Sequence, residues 1–305
     1  MKRVATREQV AVRGGVGRPL QRLGSSAGKF IRTQPLGSFG LVICVIVVLL
    51  AVFAPWVTRY DPTIGEFGER LQPPGLSHWL GTDQLGRDLY TRIVYGARIS
   101  LEVSFFSIVL GTGSGYMLGL IGGYIGGKAD MLFQRVVDAM LALPSILLAL
   151  VMVAVLGPGL DKVIAAISIT YLPRAARVSR GVSLSVKENV YIDASRVVGA
   201  SPMRILLRHM LPNSLAPLLI LASISLGGAI LIEASLSYLG LGVPPPAPSW
   251  GQMLSGAAAQ LALIAPWLLI FPGVAIMVLV LAFNLFGDTL RDLWDPKLRG
   301  RVGGR

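Results

Sequence analysis

From Ala234 to Gly287 the chain carries no Asp, Glu, Lys, Arg or His. A soluble domain leaves more than half of its residues in contact with water and places charge among them, so a run of this length belongs in lipid. Together with the equally uncharged Met210 to Ile232, it leaves room for two membrane spans, since one spanning helix takes about 20 mostly apolar residues. The break between them is predicted at Val243 to Trp250, VPPPAPSW. Proline removes amide donors and stiffens the chain toward polyproline II, so a lipid-buried helix does not pass through that segment.

The same search finds four earlier spans. Residues 33–58 hold no charge, and the dense run Phe39 to Val57 is span one; it is too long and too far from the start for a cleaved signal peptide, and reads as a retained anchor. Span two is predicted within 99–123 and span three within 139–160, between Asp138 and Asp161. Span four is shorter: Val163 to Pro173 precedes Arg174, and reaches spanning length by recruiting Gly159 to Lys162 and the snorkelling stems of Arg174 and Arg177. The expected fold class is therefore an all-α polytopic membrane protein with six transmembrane helices. Its parts are a basic tail (1–32), the first transmembrane helix (33–58), an extracytoplasmic loop (59–98), a core of five further helices (99–290) and a second tail (291–305).

Composition agrees: 53% of the 305 residues are hydrophobic, 14% are charged and mean hydropathy is +0.66. The net charge of +12 does not indicate nucleic-acid binding, because eight of the 28 basic residues fall in the first 32 positions and five in the last 15, with no basic groove interleaved with aromatics. Basic clusters beside apolar spans suit flanks that face anionic lipid in the cytoplasm. The segment from Arg174 to Pro212 adds seven more, whereas 239–260 has none, which places both termini and that segment in the cytoplasm. Residues 58–98 run against the rule: outside by this count, they carry Arg59, Arg70, Arg87, Arg92 and Arg98, matched in number by Asp61, Glu66, Glu69, Asp83 and Asp88. Cys44, the single cysteine, sits in an apolar run and has no partner for a disulfide or a metal.

Glycines 111, 115, 119, 123 and 127 recur every fourth residue through span two and its exit, the pattern of a small-residue face on which another helix packs closely. They do not form a phosphate-binding loop, because they lie in an apolar span and no GxxxxGK(S/T) follows here or elsewhere. The chain itself is not expected to be an enzyme or to hold a cofactor. Asp83, Asp88 and His78 share a loop but match no hydrolase spacing, and His78 and His209, on opposite sides in this topology, build no metal cage. An ion-coupled secondary transporter is the competing class, yet neither repeated halves nor a cluster of coupling-ion ligands is evident.

The most informative segment is Ser185 to Asn213, SVKENVYIDASRVVGASPMRILLRHMLPN, within a cytoplasmic loop at 183–213. Ser185 and Glu188 have capping-box spacing, which predicts a short helix ended by Gly199, with Val190, Ala194, Val197 and Val198 on one side. Ser201 before Pro202 predicts the start of a second helix running to Pro212. Two helices joined at a glycine turn make a compact knob; the alternative is a solvated basic connector. Glu233 is the one carboxylate in a long apolar region, so it either lines a translocation path or plays a structural part near the outer end of span five.

These residues resemble a known family. Asp193-Ala194-Ser195, then three residues to Gly199, nine more, and His209-Met210-Leu211-Pro212 resemble the EAA loop of ABC importer permeases, with Asp for Glu, Ser for the second Ala and His for Ile. His78 to Leu101, Glu233 to Gly242 and Phe286 to Arg299 resemble the second (C-type) permease subunit of the dipeptide, oligopeptide and nickel importers. The resemblance implies a type I ABC importer permease fold in the bacterial inner membrane. It implies that Tyr191, Asp193, Ala194, Ser195, Arg196, Gly199, Ser201, Leu211 and Pro212 couple the chain to cytosolic ATPase subunits, which bind the ATP and Mg. It also implies a second homologous permease and an extracytoplasmic substrate-binding protein as partners, docking on 58–98 and 243–254, and peptides as cargo. Nickel chelates and glutathione are the cargo alternatives.

Overall fold

The computed structural model describes residues 34–261 and 263–294; the basic tail expected at 1–32 and the chain beyond 294 lie outside the described residues. The described chain is helical, with one isolated bridge between Thr82 and Asp88 and no named strand among the described residues. The principal helices are α1 (Pro35–Val52), α2 (Leu89–Ile125), α3 (Gly127–Leu141), α4 (Ser145–Leu156), α5 (Leu160–Val186), α6 (Val190–Val197), α7 (Leu215–Tyr238) and α8 (Trp267–Trp294).

By length and composition α1, α2, α7 and α8 each suffice to cross a membrane, and α3 with α4 form a fifth candidate bent by 100°. Span three thus departs from the expected continuous run within 139–160. Pro144 donates no amide hydrogen bond and disfavours helix at the residue before it, so the chain turns there, and the 12 residues of α4 alone reach only about 18 Å. Span four departs the other way: α5 runs 27 residues, straight through Pro173. Its arginines do not all snorkel. Arg177 pairs with Asp138 of α3, and Arg180 holds Asp130 with nitrogen–oxygen distances of 2.7–3.1 Å.

The 37-residue α2 extends about 55 Å, well beyond a hydrocarbon core of about 30 Å, and packs more extensively on α5 than any other helix pair does. The glycine stripe is the reason. A Cβ on Gly111, Gly115 or Gly119 would run into the backbone carbonyl of Ser168, Leu172 or Ala176, and one on Gly123 would come within 2.7 Å of the Ser183 side chain. The hydroxyls of Ser107 and Ser183 donate across the same seam to the carbonyls of Ile164 (3.2 Å) and Leu120 (2.8 Å). Gly127 is not part of it: with Gly126 it takes positive φ (78° and 71°) in open space, breaking α2 from α3.

One end of the bundle is a cap built from residues 58–88 and from the segment between α7 and α8. That break is longer than VPPPAPSW, because short helices at Trp250–Leu254 and Ala257–Gln260 extend it before α8 begins. Trp267 and Trp250 bolt it down, donating their indole N–H groups to the carbonyls of Thr82 (3.2 Å) and Ile93 (2.9 Å). Within the cap, buried His78 meets Asp88 through Nδ1 (2.9 Å) and Glu69 through Nε2 (3.2 Å). The basic residues that violate the charge rule are largely engaged: Arg87 and Arg92 with Asp83, Arg70 over the Phe67 ring and Arg59 over Trp79. The start of α1 and the last turns of α8 lie together, Gly37 against Thr289, so both ends of the described chain emerge at the end opposite the cap.

Candidate functional site

At that opposite end sits the segment singled out from the sequence. Its first helix does not begin at a capping box, because α5 continues to Val186 and takes Ser185 into its last turn. Asn189 makes the junction: its side-chain amide donates to the Val186 carbonyl (2.8 Å) while its extended backbone starts α6. Gly199 ends α6 as expected. With φ of +82°, it donates its N–H to Arg196 (2.9 Å) and lets Ala200 donate to Ser195 (3.0 Å), which satisfies two carbonyls that a helix end leaves open. Ser201 then accepts a long hydrogen bond from the Arg204 amide (3.4 Å), and Pro202 occupies the first helical position. The second helix runs on to Asn213, past Pro212, through a π-type turn at Leu206–Met210.

Apart from Met210 and Leu211, the knob is seated by residues that the sequence did not mark. Ile192 of α6 is fully buried with Ile205, Leu206 and Met210 against Leu120 near the end of α2, with Ile121 and Tyr124 beside them. Burying one such aliphatic side chain contributes about 1.5–3 kcal/mol. The apolar strip read from the periodicity turns the other way. Val190, Val197 and Val198 are 83%, 88% and 87% exposed, and Ala194 and Met203 also face out.

The candidate coupling residues fall into two groups. Tyr191, Asp193, Ala194, Arg196, Gly199 and Ser201 are exposed on the knob, whereas Ser195 is half-buried and donates back to the Tyr191 carbonyl (2.7 Å). Asp193 accepts from Arg196 (2.9 Å), whose guanidinium also lies 5.4 Å from the centre of the Tyr124 ring. Leu211 is half-buried against the seat and Pro212 is exposed, so the end of the motif positions the knob on the bundle rather than extending its outward face.

Glu233 lies far from the knob, near the cap, and is fully buried. Its Oε1 accepts from Ser237 (2.8 Å) and Ser249 (3.0 Å), and its Oε2 from Ser100 (3.0 Å). One carboxylate thus ties α2, α7 and the residue that opens the short helix at Trp250. A signal was present in the sequence, since Ser237 follows Glu233 by one helical turn; the contributions of Ser100 and Ser249 needed the tertiary structure. Glu233→Gln is expected to keep most of the stability, because an amide oxygen still accepts. Glu233→Leu strands three buried hydroxyls at about 1–3 kcal/mol each and is expected to lower the thermal midpoint of the purified protein by several degrees. Equal midpoints for the two variants would show that the tie contributes nothing.

Comparison with known proteins gives the following. The family described as "Binding-protein-dependent transport system inner membrane component" matches residues 115–300, and "N-terminal TM domain of oligopeptide transport permease C" matches residues 25–74. The dipeptide transport system permease protein DppC of Alkalihalophilus pseudofirmus is 46% identical over 273 residues, 90% of each chain. The glutathione transport system permease protein GsiD of Escherichia coli is 42% identical over 270 residues, 88% of this chain and 89% of that one. Among solved structures, an inward-facing MetNI methionine ABC transporter chain matches with a TM-score of 0.55 and 23% identity, over 67% of this chain and 97% of that chain.

Proposed function

The chain belongs to the family of binding-protein-dependent transport system inner membrane components, and from that premise we propose that it forms half of the translocation pathway of an ATP-driven importer of peptides. The observation that carries the coupling assignment is the knob: a rigidly seated pair of helices that presents Val190, Val197, Val198 and Met203 to solvent at the end of a 37-residue helix. Exposed apolar residues on a fixed scaffold suit a partner surface. Closure of a partner against this knob moves α6, and through Ile192 and Leu120 it moves α2 and the α5 to which α2 is locked. Two states follow if the partner grips the knob differently in each.

On this reading the knob is cytoplasmic and engages an ATPase, the nucleotide and Mg sit on that partner, and both termini are cytoplasmic at the inner membrane. A second homologous permease completes the pathway. The cap faces outward and receives a substrate-binding protein on 58–98 and 243–254. Peptide cargo is supported by the names of the relatives, which include permeases for dipeptides, peptides and glutathione. Glu233 serves as an internal tie.

The direct test is to purify the chain with whatever it retains and measure hydrolysis of ATP in lipid vesicles. A second permease and at least one ATPase should copurify, and a peptide-loaded binding protein should raise vanadate-sensitive hydrolysis severalfold. Peptide uptake driven by an ion gradient with this chain alone would exclude the proposal.

A further inference from the structure

In the cap a pocket of about 300 Å³ opens between residues 83–92, which make the turn before α2 and its first turn, and the segment between α7 and α8. Its charge does not balance. Asp83 is the one carboxylate lining it, and it is fully used: Oδ1 accepts from the amides of Leu85 (2.8 Å) and Arg87 (3.0 Å), while Oδ2 accepts from Arg87 Nε (2.7 Å) and lies 3.5 Å from Arg92 Nε. Two guanidiniums therefore share one negative charge. Arg92 is only 3% exposed and finds otherwise the Pro62 carbonyl, 2.7 Å from Nη1. No other carboxylate among the described residues pairs with Arg87 or Arg92: Asp88 is committed to His78 and the Thr91 amide, Glu69 to His78, and Glu66, whose backbone lies against Gly86, forms no ion pair with either arginine. A buried guanidinium short of a counter-ion is a binding site for a carboxylate, which it can engage through a two-pronged, charge-assisted contact.

The rest of the lining says what the carboxylate is attached to. The lining includes two side-chain amides, Gln84 and Gln252, and the apolar side chains of Leu89, Met253 and Leu268. The volume exceeds what a single acidic side chain fills and accommodates one amino-acid residue with its neighbouring peptide group. We propose that this pocket is a subsite for the C-terminal residue of a peptide, its terminal carboxylate against Arg92 and Arg87 and its side chain against Met253 and Leu268. The inference rests on the reading that the cap faces outward in a peptide importer. Its place there puts the contact before the peptide enters the membrane, as a check for a free C-terminus.

The experiment uses the complete transporter in vesicles with the cap outside and a dipeptide whose C-terminal residue is p-benzoylphenylalanine. Irradiation is expected to attach it at 252–255, Met253 foremost. A free-acid dipeptide should suppress the adduct at a concentration about tenfold or more below that needed with its C-terminal amide, the loss expected for one charge-assisted contact. Arg92→Gln should erase the difference between acid and amide. Because that change can also loosen the cap, Met253→Trp serves as a second variant, filling the wall without touching the Asp83 pairs; it should remove the adduct from complexes that assemble in normal amount. Equal competition by acid and amide, or adducts confined to other segments, overturns the subsite. An adduct that forms only in the presence of a binding protein and maps to that protein overturns it too. Stimulation of ATP hydrolysis by peptide-loaded binding protein is read in the same vesicles. If stimulation persists without the adduct, only the subsite fails; if stimulation is absent, the importer reading fails and the subsite with it.

Discussion

Replacing Val197 and Val198 together by Asp is expected to abolish uptake while the chain still reaches the membrane in normal amount. Both side chains are almost fully exposed, at 88% and 87%, so the fold loses little; surface changes of this kind stay within about 0.5 kcal/mol each. On the proposed reading, docking of the ATPase covers the same positions. Two buried valines each contribute about 1.5–3 kcal/mol, and an unpaired carboxylate in their place adds a desolvation cost. Together these amount to several kcal/mol, or about a thousandfold or more in affinity for the partner. Membrane abundance, copurification of an ATPase and uptake should be measured side by side. Normal uptake by the inserted double variant would mean that the strip is bare surface. Ile192→Asp is the contrasting case: it buries charge in the seat and should lower abundance itself.

Gly199→Val is expected to have nearly as large an effect by a different route. No atom lies within 4 Å of a Cβ built there, so the problem is the backbone and not crowding. At φ of +82° a β-branched side chain meets its own carbonyl, at about 1–2 kcal/mol or more, and relieving that strain breaks the two hydrogen bonds that close α6. The bundle does not depend on this turn, but the angle between α6 and the second helix does. Transport should fall at least tenfold with abundance near normal. Gly199→Asn should retain much more, because Asn tolerates the left-handed region. Indistinguishable Val and Asn variants would remove the backbone explanation.

The parts of this structure that were legible in the sequence are those set by local chemistry. Absence of charge marked the apolar helices, the four-residue glycine spacing marked the face of α2 on which another helix packs, without saying that the partner is α5 or that Gly127 falls outside it, and Gly199 and Pro202 marked the punctuation of the knob. What was not legible depends on partners distant in sequence. Nothing local says that Asp130 and Asp138 will hold Arg180 and Arg177, so α5 looked shorter than it is. Ser185 and Glu188 had the spacing of a cap, but the packing of α5 on α2, including the Ser183 bond to Leu120, carried the helix through Ser185 to Val186 and left Glu188 in the turn before α6. The valine strip was read correctly as one face of a helix. Which face turned inward was decided by Ile192, whose partners Ile205, Leu206 and Met210 lie in the next helix. Glu233 could be recognised as unusual in the sequence, but two of its three serines lie on other elements.

The account stands on the knob being a cytoplasmic handle, and the lone native cysteine makes that directly measurable. Cys44 is buried in α1, so Val197→Cys supplies the one accessible thiol among the described residues. A membrane-impermeant maleimide should label it in inside-out vesicles stripped of peripheral proteins, leave it unlabelled in right-side-out vesicles, and lose access when the ATPase subunits are added back. Labelling from the outside, or labelling undiminished by the ATPase, would contradict the assignment.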